Sequence, residues 1–187
     1  MKINPKKTSL IVIDMLNDFV KEKGSLVVPK AQSLLPNQIR LLEAARKSGV
    51  IVMYLTDNHE PDDDEFDKWP PHAVVGTWGS EVVDTLKPER YDKVIPKRRY
   101  SGFFGTDLDL RLRERGIETV VLTGVLTDIC VMYTSADASA RGYDVVIAKD
   151  ATASTSEDNH NFALQHMREV HGSILANTDE IIDAIHN

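Results

Sequence analysis

Short, continuous, largely β-branched apolar runs recur along the chain at 10–13, 50–55, 93–95, 119–122, 144–148 and 173–175. Most do not alternate with polar residues, so they read as strands buried on both faces. Helical patterns fill the intervals. Residues 31–47 carry Leu34, Leu35, Ile39, Leu42 and Ala45 at helical spacing and stop at Gly49. Similar patterns at 108–115, 128–141 and 161–170 stop at Gly116, Gly142 and Gly172, and a last one covers 179–185. Strands alternating with helices predict an α/β fold: three α/β/α layers around a central, mostly parallel six-stranded sheet. The irregular stretch 57–79, rich in Asp and Pro, is longer than an ordinary connection and predicts a functional loop. There is no linker, internal repeat or low-complexity tract, so residues 1–187 read as one domain.

Composition narrows the function classes. Of the 187 residues, 42% are apolar and 27% charged, which is globular rather than disordered. Twenty-two Lys and Arg against 29 Asp and Glu give a net charge of −7. Without a basic run, nucleic acid is excluded as a partner. No apolar run is long enough to span a membrane, and the one before Asp14 is too short for a signal core, so a cytoplasmic location is expected. A single cysteine excludes an intrachain disulfide. Neither glycine-rich phosphate-binding signature is present, so no dinucleotide or nucleoside triphosphate site is supported and no organic cofactor is expected.

In open α/β sheets, ligands bind beyond the carboxyl ends of the strands. Asp14 follows the first predicted strand, Asp57 and His59 the second and Lys97 the third, while Cys130 lies in the segment after the fourth. Each has an ordinary reading by itself. Cys130 suits a small buried apolar position, Asp14 a turn, Lys97 with Arg98 and Arg99 a solvated basic cluster, and residues 62–65 a solvated acidic run. Together they make a chemical set. Thr127 or Asp128 as helix N-cap puts Cys130 in the first turn, where the helix terminus lowers a thiol pKa, partly opposed by Asp128. Asp14 can accept the thiol proton, and Lys97 can hold Asp14 ionised and favour the thiolate. Asp57 and His59, followed by Glu65 and His72, suit a divalent transition metal. His160, His166, His171 and His186 fall on helical or terminal segments and read as non-catalytic.

Four blocks in this order carry a family likeness: Ile11-Val-Ile-Asp-Met-Leu-Asn-Asp-Phe-Val20; Asp57-Asn-His59 with Trp69-Pro-Pro-His72; Lys97-Arg-Arg-Tyr-Ser-Gly-Phe-Phe-Gly-Thr-Asp-Leu108; and Gly124-Val-Leu-Thr-Asp-Ile-Cys-Val131. The chain resembles the isochorismatase-like cysteine hydrolases, and within them the nicotinamidase/pyrazinamidase group. The resemblance implies a catalytic triad of Asp14, Lys97 and Cys130. It implies one divalent metal ion (Zn, Fe or Mn) on Asp57, His59 and His72, with Glu65 matching a further ligand of some members. It also implies a cis peptide between Val125 and Leu126, an oxyanion hole of the Leu126 and Cys130 amides, and aromatic contacts from Phe19, Trp69 and Tyr100, with Phe103 and Phe104 as additional candidates. Leu16 stands where many members carry Gln, and Asn58 where Trp is common. The implied activity is conversion of nicotinamide (or pyrazinamide) to the acid and ammonia through a thioester, in NAD salvage, by a chain that self-associates. The alternatives are a related amidohydrolase of another small amide or carbamoyl compound, or a catalytically silent binding relative.

Overall fold

A computed structural model describes residues 3–186. The strands are β1 (Thr8–Ile13), β2 (Ile51–Asp57), β3 (Lys93–Lys97), β4 (Thr119–Val125), β5 (Asp144–Ala153) and β6 (Ile174–Ala176). The helices are α1 (Asn17–Val20), α2 (Ala31–Ser48), α3 (Leu108–Glu114), α4 (Met132–Ala140), α5 (Glu157–Glu169) and α6 (Thr178–His186). All neighbouring strands pair in parallel, in the order β3-β2-β1-β4-β5-β6. The chain therefore winds outward from β1 in one direction and from β4 in the other. The seam between these two strands is the topological switch point, where this class of sheet opens a ligand crevice.

The absence of polar alternation in the strands is explained by two apolar layers. Leu10, Val12, Val52, Tyr54 and Val146 point into the layer under α2 and α6. Ile11, Ile13, Met53, Leu55 and Ile147 point into the layer under α3, α4 and α5. Successive side chains on a strand alternate between faces, and here both faces are covered.

Three boundaries depart from the sequence reading by four residues or more: the end of β5, the start of α5, and the start of α4, at Met132 rather than 128 because the turn Thr127–Val131 precedes it. β5 runs five residues past the expected end at 148, through a register shift in which Leu122 pairs with Ile147 but Gly124 with Thr152. Its irregular backbone is satisfied from outside the strand. The Thr123 hydroxyl donates to Ala151 O at 2.6 Å, and the buried Gln38 amide of α2 donates to the same oxygen at 3.2 Å. Lys149 and Asp150 interrupt the apolar run at this point, which hides the continuation. α5 begins four residues early, because Ser156 caps it by accepting from Asn159 N–H. No helix among the described residues is long and apolar enough to cross a membrane.

Candidate active site

Four strand ends build the site. Asp14 leaves β1 in the left-handed region (φ 52°), a conformation that Asp tolerates better than most residues. Its N–H still donates to Leu55 O at 2.9 Å. Next to it, Asp57 and Lys97 close β2 and β3 as register partners. The Asp57 N–H donates to Asp14 Oδ1 at 2.8 Å, so the backbone of one strand end fixes the side chain of the other. On the other side of the switch point, β4 ends in Gly124-Val125-Leu126. The Val125–Leu126 peptide is cis, and a π-helical turn, Thr127–Val131, carries Cys130 into the base of the cleft. Gly124 (φ 120°) is required here, since a Cβ at this position would lie 2.0 Å from Ile13 O.

Lys97 Nζ sits at the centre. It is 2.8 Å from Asp14 Oδ2, 2.5 Å from Asp57 Oδ1 and 3.4 Å from Cys130 Sγ, and its side chain is fully buried. Asp14 Oδ2 is ion-paired with the ammonium without hydrogen-bond alignment, which leaves a lone pair for the thiol proton. Burial raises the Asp14 carboxyl, the neighbouring Asp57 charge raises it further and Lys97 pulls it back, leaving it at about 6. Burial works against the Asp57 charge too, but Lys97 and His59 outweigh it and bring that carboxyl to about 2. Burial disfavours the charge on Lys97, yet Asp14 and Asp57 keep it firmly protonated. Two carboxylates around one ammonium thus leave room for one more positive charge or proton.

The expected lowering of the Cys130 pKa by a helix terminus is not what the structure shows. Burial pushes the thiol well above its ordinary value; Lys97 lowers it, while Asp14 and Asp57 raise it. The expected N-caps are engaged elsewhere. Thr127 Oγ1 pairs with His160 Nδ1 at 2.9 Å, Asp128 Oδ1 accepts from Ser154 Oγ at 2.5 Å, and residue 126 precedes the turn without a side-chain cap. The resting group is therefore a thiol rather than a thiolate.

Beside this centre, Asp57 Oδ2 faces His59 Nε2 at 3.8 Å and His72 Nε2 at 3.9 Å. His72 Nδ1 is 2.7 Å from Pro70 O and His59 Nδ1 is 3.1 Å from Asp63 Oδ2. A carbonyl and a carboxylate only accept, so both Nδ1 atoms donate. With Nδ1 donating, each ring turns Nε2 toward the Asp57 carboxylate, and buried His59 Nε2 has no hydrogen-bond partner among the described residues. Burial lowers the His59 pKa, but Asp57 and Asp63 raise it above the ordinary value, as an electronegative position that attracts a cation would. An arrangement of three acceptors around one point is satisfied by a cation, and two imidazoles with a carboxylate fit a divalent transition metal. Glu65 lies outside that trio. Its carboxyl groups instead with His59 and Asp63, and one oxygen is 3.9 Å from Arg99 Nη1. Burial and the Asp57 charge raise its pKa.

The cleft above both centres holds about 500 Å³ of atom-free space, part of it open to solvent. Phe19, Trp69, Tyr100, Val125 and Leu126 line it together with Glu65. Trp69 Nε1 donates to Tyr100 Oη at 3.2 Å, and Phe19 packs on His72 with ring centroids 5.5 Å apart. Phe103 and Phe104 are not brought there. Phe103 is buried against Tyr143, while Phe104 is exposed beside Arg98 and Arg99. None of His160, His166, His171 and His186 lines the cleft.

Asp18 and Asp63 were not legible as site residues. Asp18 Oδ2 accepts from Ala73 N–H at 2.8 Å and Oδ1 from Ser25 N–H at 3.1 Å, tying the Phe19 segment to the residue after His72. Asp63 belongs to the acidic run expected to be solvated, yet it is buried and paired with His59, Arg98 and Arg99. The i, i+4 spacing of His59 and Asp63 was the available signal, but in a loop that spacing implies no contact.

The Isochorismatase domain family matches residues 8–180. The chain belongs to the isochorismatase family. A Bacillus subtilis (strain 168) relative, the isochorismatase family protein PncA, is 37% identical over 182 residues, covering 91% of this chain and 99% of that one. A probable inactive nicotinamidase of Arabidopsis thaliana is 34% identical over 176 residues, covering 88% and 90%. Among solved structures, N-carbamoylsarcosine amidase from Thermoplasma acidophilum is 40% identical with a TM-score of 0.86 (92% and 97% covered). Pyrazinamidase/nicotinamidase from Streptococcus mutans is 39% identical with a TM-score of 0.86 (90% and 99%). Pyrazinamidase of Pyrococcus horikoshii, solved in complex with zinc, is 30% identical with a TM-score of 0.86 (91% and 99%). This isochorismatase-family chain is thus a cysteine hydrolase by kinship, of a kind that acts on small molecules.

Proposed function

We propose that this protein is a nicotinamidase, converting nicotinamide to nicotinate and ammonia and accepting pyrazinamide in the same way. The observation that carries this reading is one aromatic-walled cleft lined by Asp14, Cys130, Asp57 and His72, with Lys97 and His59 buried behind them and completing the two groups. A flat heteroaromatic amide matches such a cleft. Its ring packs among Phe19, Trp69 and Tyr100 while its carboxamide reaches the sulfur.

As Cys130 Sγ bonds to the amide carbon, its proton passes to Asp14, and the carbonyl electron pair moves to oxygen. A carboxyl at about 6 suits this step, being ionised at neutral pH and still basic enough to take a proton. Lys97 stays charged throughout and holds Asp14 in place. The Leu126 and Cys130 amides receive the oxyanion, each donor contributing about 3 kcal/mol in such sites. Collapse breaks the C–N bond, and Asp14 returns its proton to the departing ammonia. Asp14 then draws a proton from water as it attacks the thioester, freeing the acid and restoring the thiol. A divalent ion (Zn, Fe or Mn) held by Asp57, His59 and His72, with Glu65 at the rim, would supply a Lewis-acidic anchor for a ring nitrogen.

The likeness to N-carbamoylsarcosine amidase favours a second reading, hydrolysis of a small carbamoyl compound by the same thiol. Ammonia release from nicotinamide, pyrazinamide and N-carbamoyl amino acids separates the two. The expected result is the highest kcat/KM on nicotinamide, reduced to background in Cys130→Ala. Turnover of the carbamoyl compounds with nicotinamide inert would replace the first reading with the second.

A further inference from the structure

The two histidines of the proposed metal trio are oriented differently. His72 leans on a backbone carbonyl of its own loop, whereas His59 leans on a side chain, Asp63, four residues on. The Asp63 side chain is fully buried, and each of its oxygens has assigned work. Oδ2 accepts from His59 Nδ1 at 3.1 Å and faces Arg98 Nη2 at 3.2 Å. Oδ1 accepts from Glu65 N–H at 3.0 Å and from Arg99 Nη1 at 3.1 Å. The two arginines directly follow Lys97 at the end of β3.

We propose that Asp63 is a positioning residue for the metal trio: it holds the His59 ring as the Nδ1–H tautomer with Nε2 turned to Asp57, and sets Glu65 at the rim of the cleft. The inference rests on the metal reading above. The physical reason is that an imidazole has two equivalent-looking nitrogens, and a ring free to flip or to shift its proton presents a lone pair to a cation only part of the time. A carboxylate that cannot donate removes that freedom and makes the other nitrogen more basic. Arg98 and Arg99 balance the charge that burial would otherwise disfavour, and they anchor the loop to the strand end that carries Lys97. The same carboxylate caps the short 3-10 turn Asp64–Asp67 through Glu65 N–H, so a test has to separate the two tasks.

Side-chain length separates them. Asp63→Ser keeps an acceptor for Glu65 N–H but is too short to reach His59. Asp63→Glu keeps the charge and two acceptor oxygens, one for each partner. The measurement is Zn²⁺ affinity of the metal-stripped full chain by titration against a competing chelator, with the melting temperature of each metal-free protein recorded alongside. The wild type is expected to bind one Zn²⁺ and His59→Ala to lose it. Asp63→Ser should bind roughly 10- to 100-fold more weakly, the usual loss for an outer partner of a ligating histidine, with a metal-free melting temperature close to wild type. Asp63→Glu should recover most of the affinity. Wild-type affinity in Asp63→Ser, or equal losses in Ser and Glu, would overturn the role of Asp63 while leaving the metal trio standing. A wild type that binds no Zn²⁺ would overturn both.

Discussion

Lys97 carries the charge balance of the candidate site. It is a fully buried ammonium, and removing it would leave Asp14 and Asp57 close together without a counter-ion, so that one must take up a proton or remain as a stranded charge. Breaking a buried ion pair from one side costs about 3–5 kcal/mol, most of it the penalty of the stranded charge. Lys97→Ala should therefore lose stability of that order in urea denaturation and fall to background in turnover. A variant as stable as the wild type would mean that the carboxylates are solvated or neutral, against the geometry described. Cys130 shows how far single residues were legible. Its place at a strand end, with Asp14 and Lys97 at others, could be read from the sequence. The direction of its pKa shift could not, because burial is its largest cause and the sequence pattern does not show how deeply the sulfur lies.

At the scale of elements, the β1–β4 seam decides whether the site can form. Gly124 allows β4 to pass Ile13 O, and the strand then delivers Val125 and Leu126 to the cleft wall. Gly124→Ala combines a backbone clash with a φ of 120° that side chains rarely adopt. It should cost about 3 kcal/mol and reduce activity even at temperatures where the protein stays folded. A neutral effect on both stability and turnover would show that the seam can widen freely. The strands were legible because both their faces are apolar. The tail of β5 was not, because its backbone partners come from Gln38 and Thr123, far away in sequence. The π-helical turn was hidden for a similar reason: Thr127 and Asp128 look like caps until His160 and Ser154 claim them.

Across the whole molecule, two apolar layers hold a parallel sheet whose strand ends put a base, an ammonium and a thiol at one switch point. The loop after β2 then folds over that point and brings His59, Glu65, Trp69 and His72 to it. The polar loop residues that make this possible, Asp18 and Asp63, carry no periodic signal, so the outline of the site was readable in advance and its scaffolding was not. What the proposed function asks of this arrangement is transfer of an acyl group to sulfur. Acid-quenched mass spectrometry during turnover of nicotinamide tests this directly. The expected result is a nicotinoyl group on the peptide containing Cys130, appearing before steady-state ammonia release and absent from Cys130→Ala. Full turnover with that peptide unmodified at every time point, and with Cys130→Ala as active as the wild type, would contradict it.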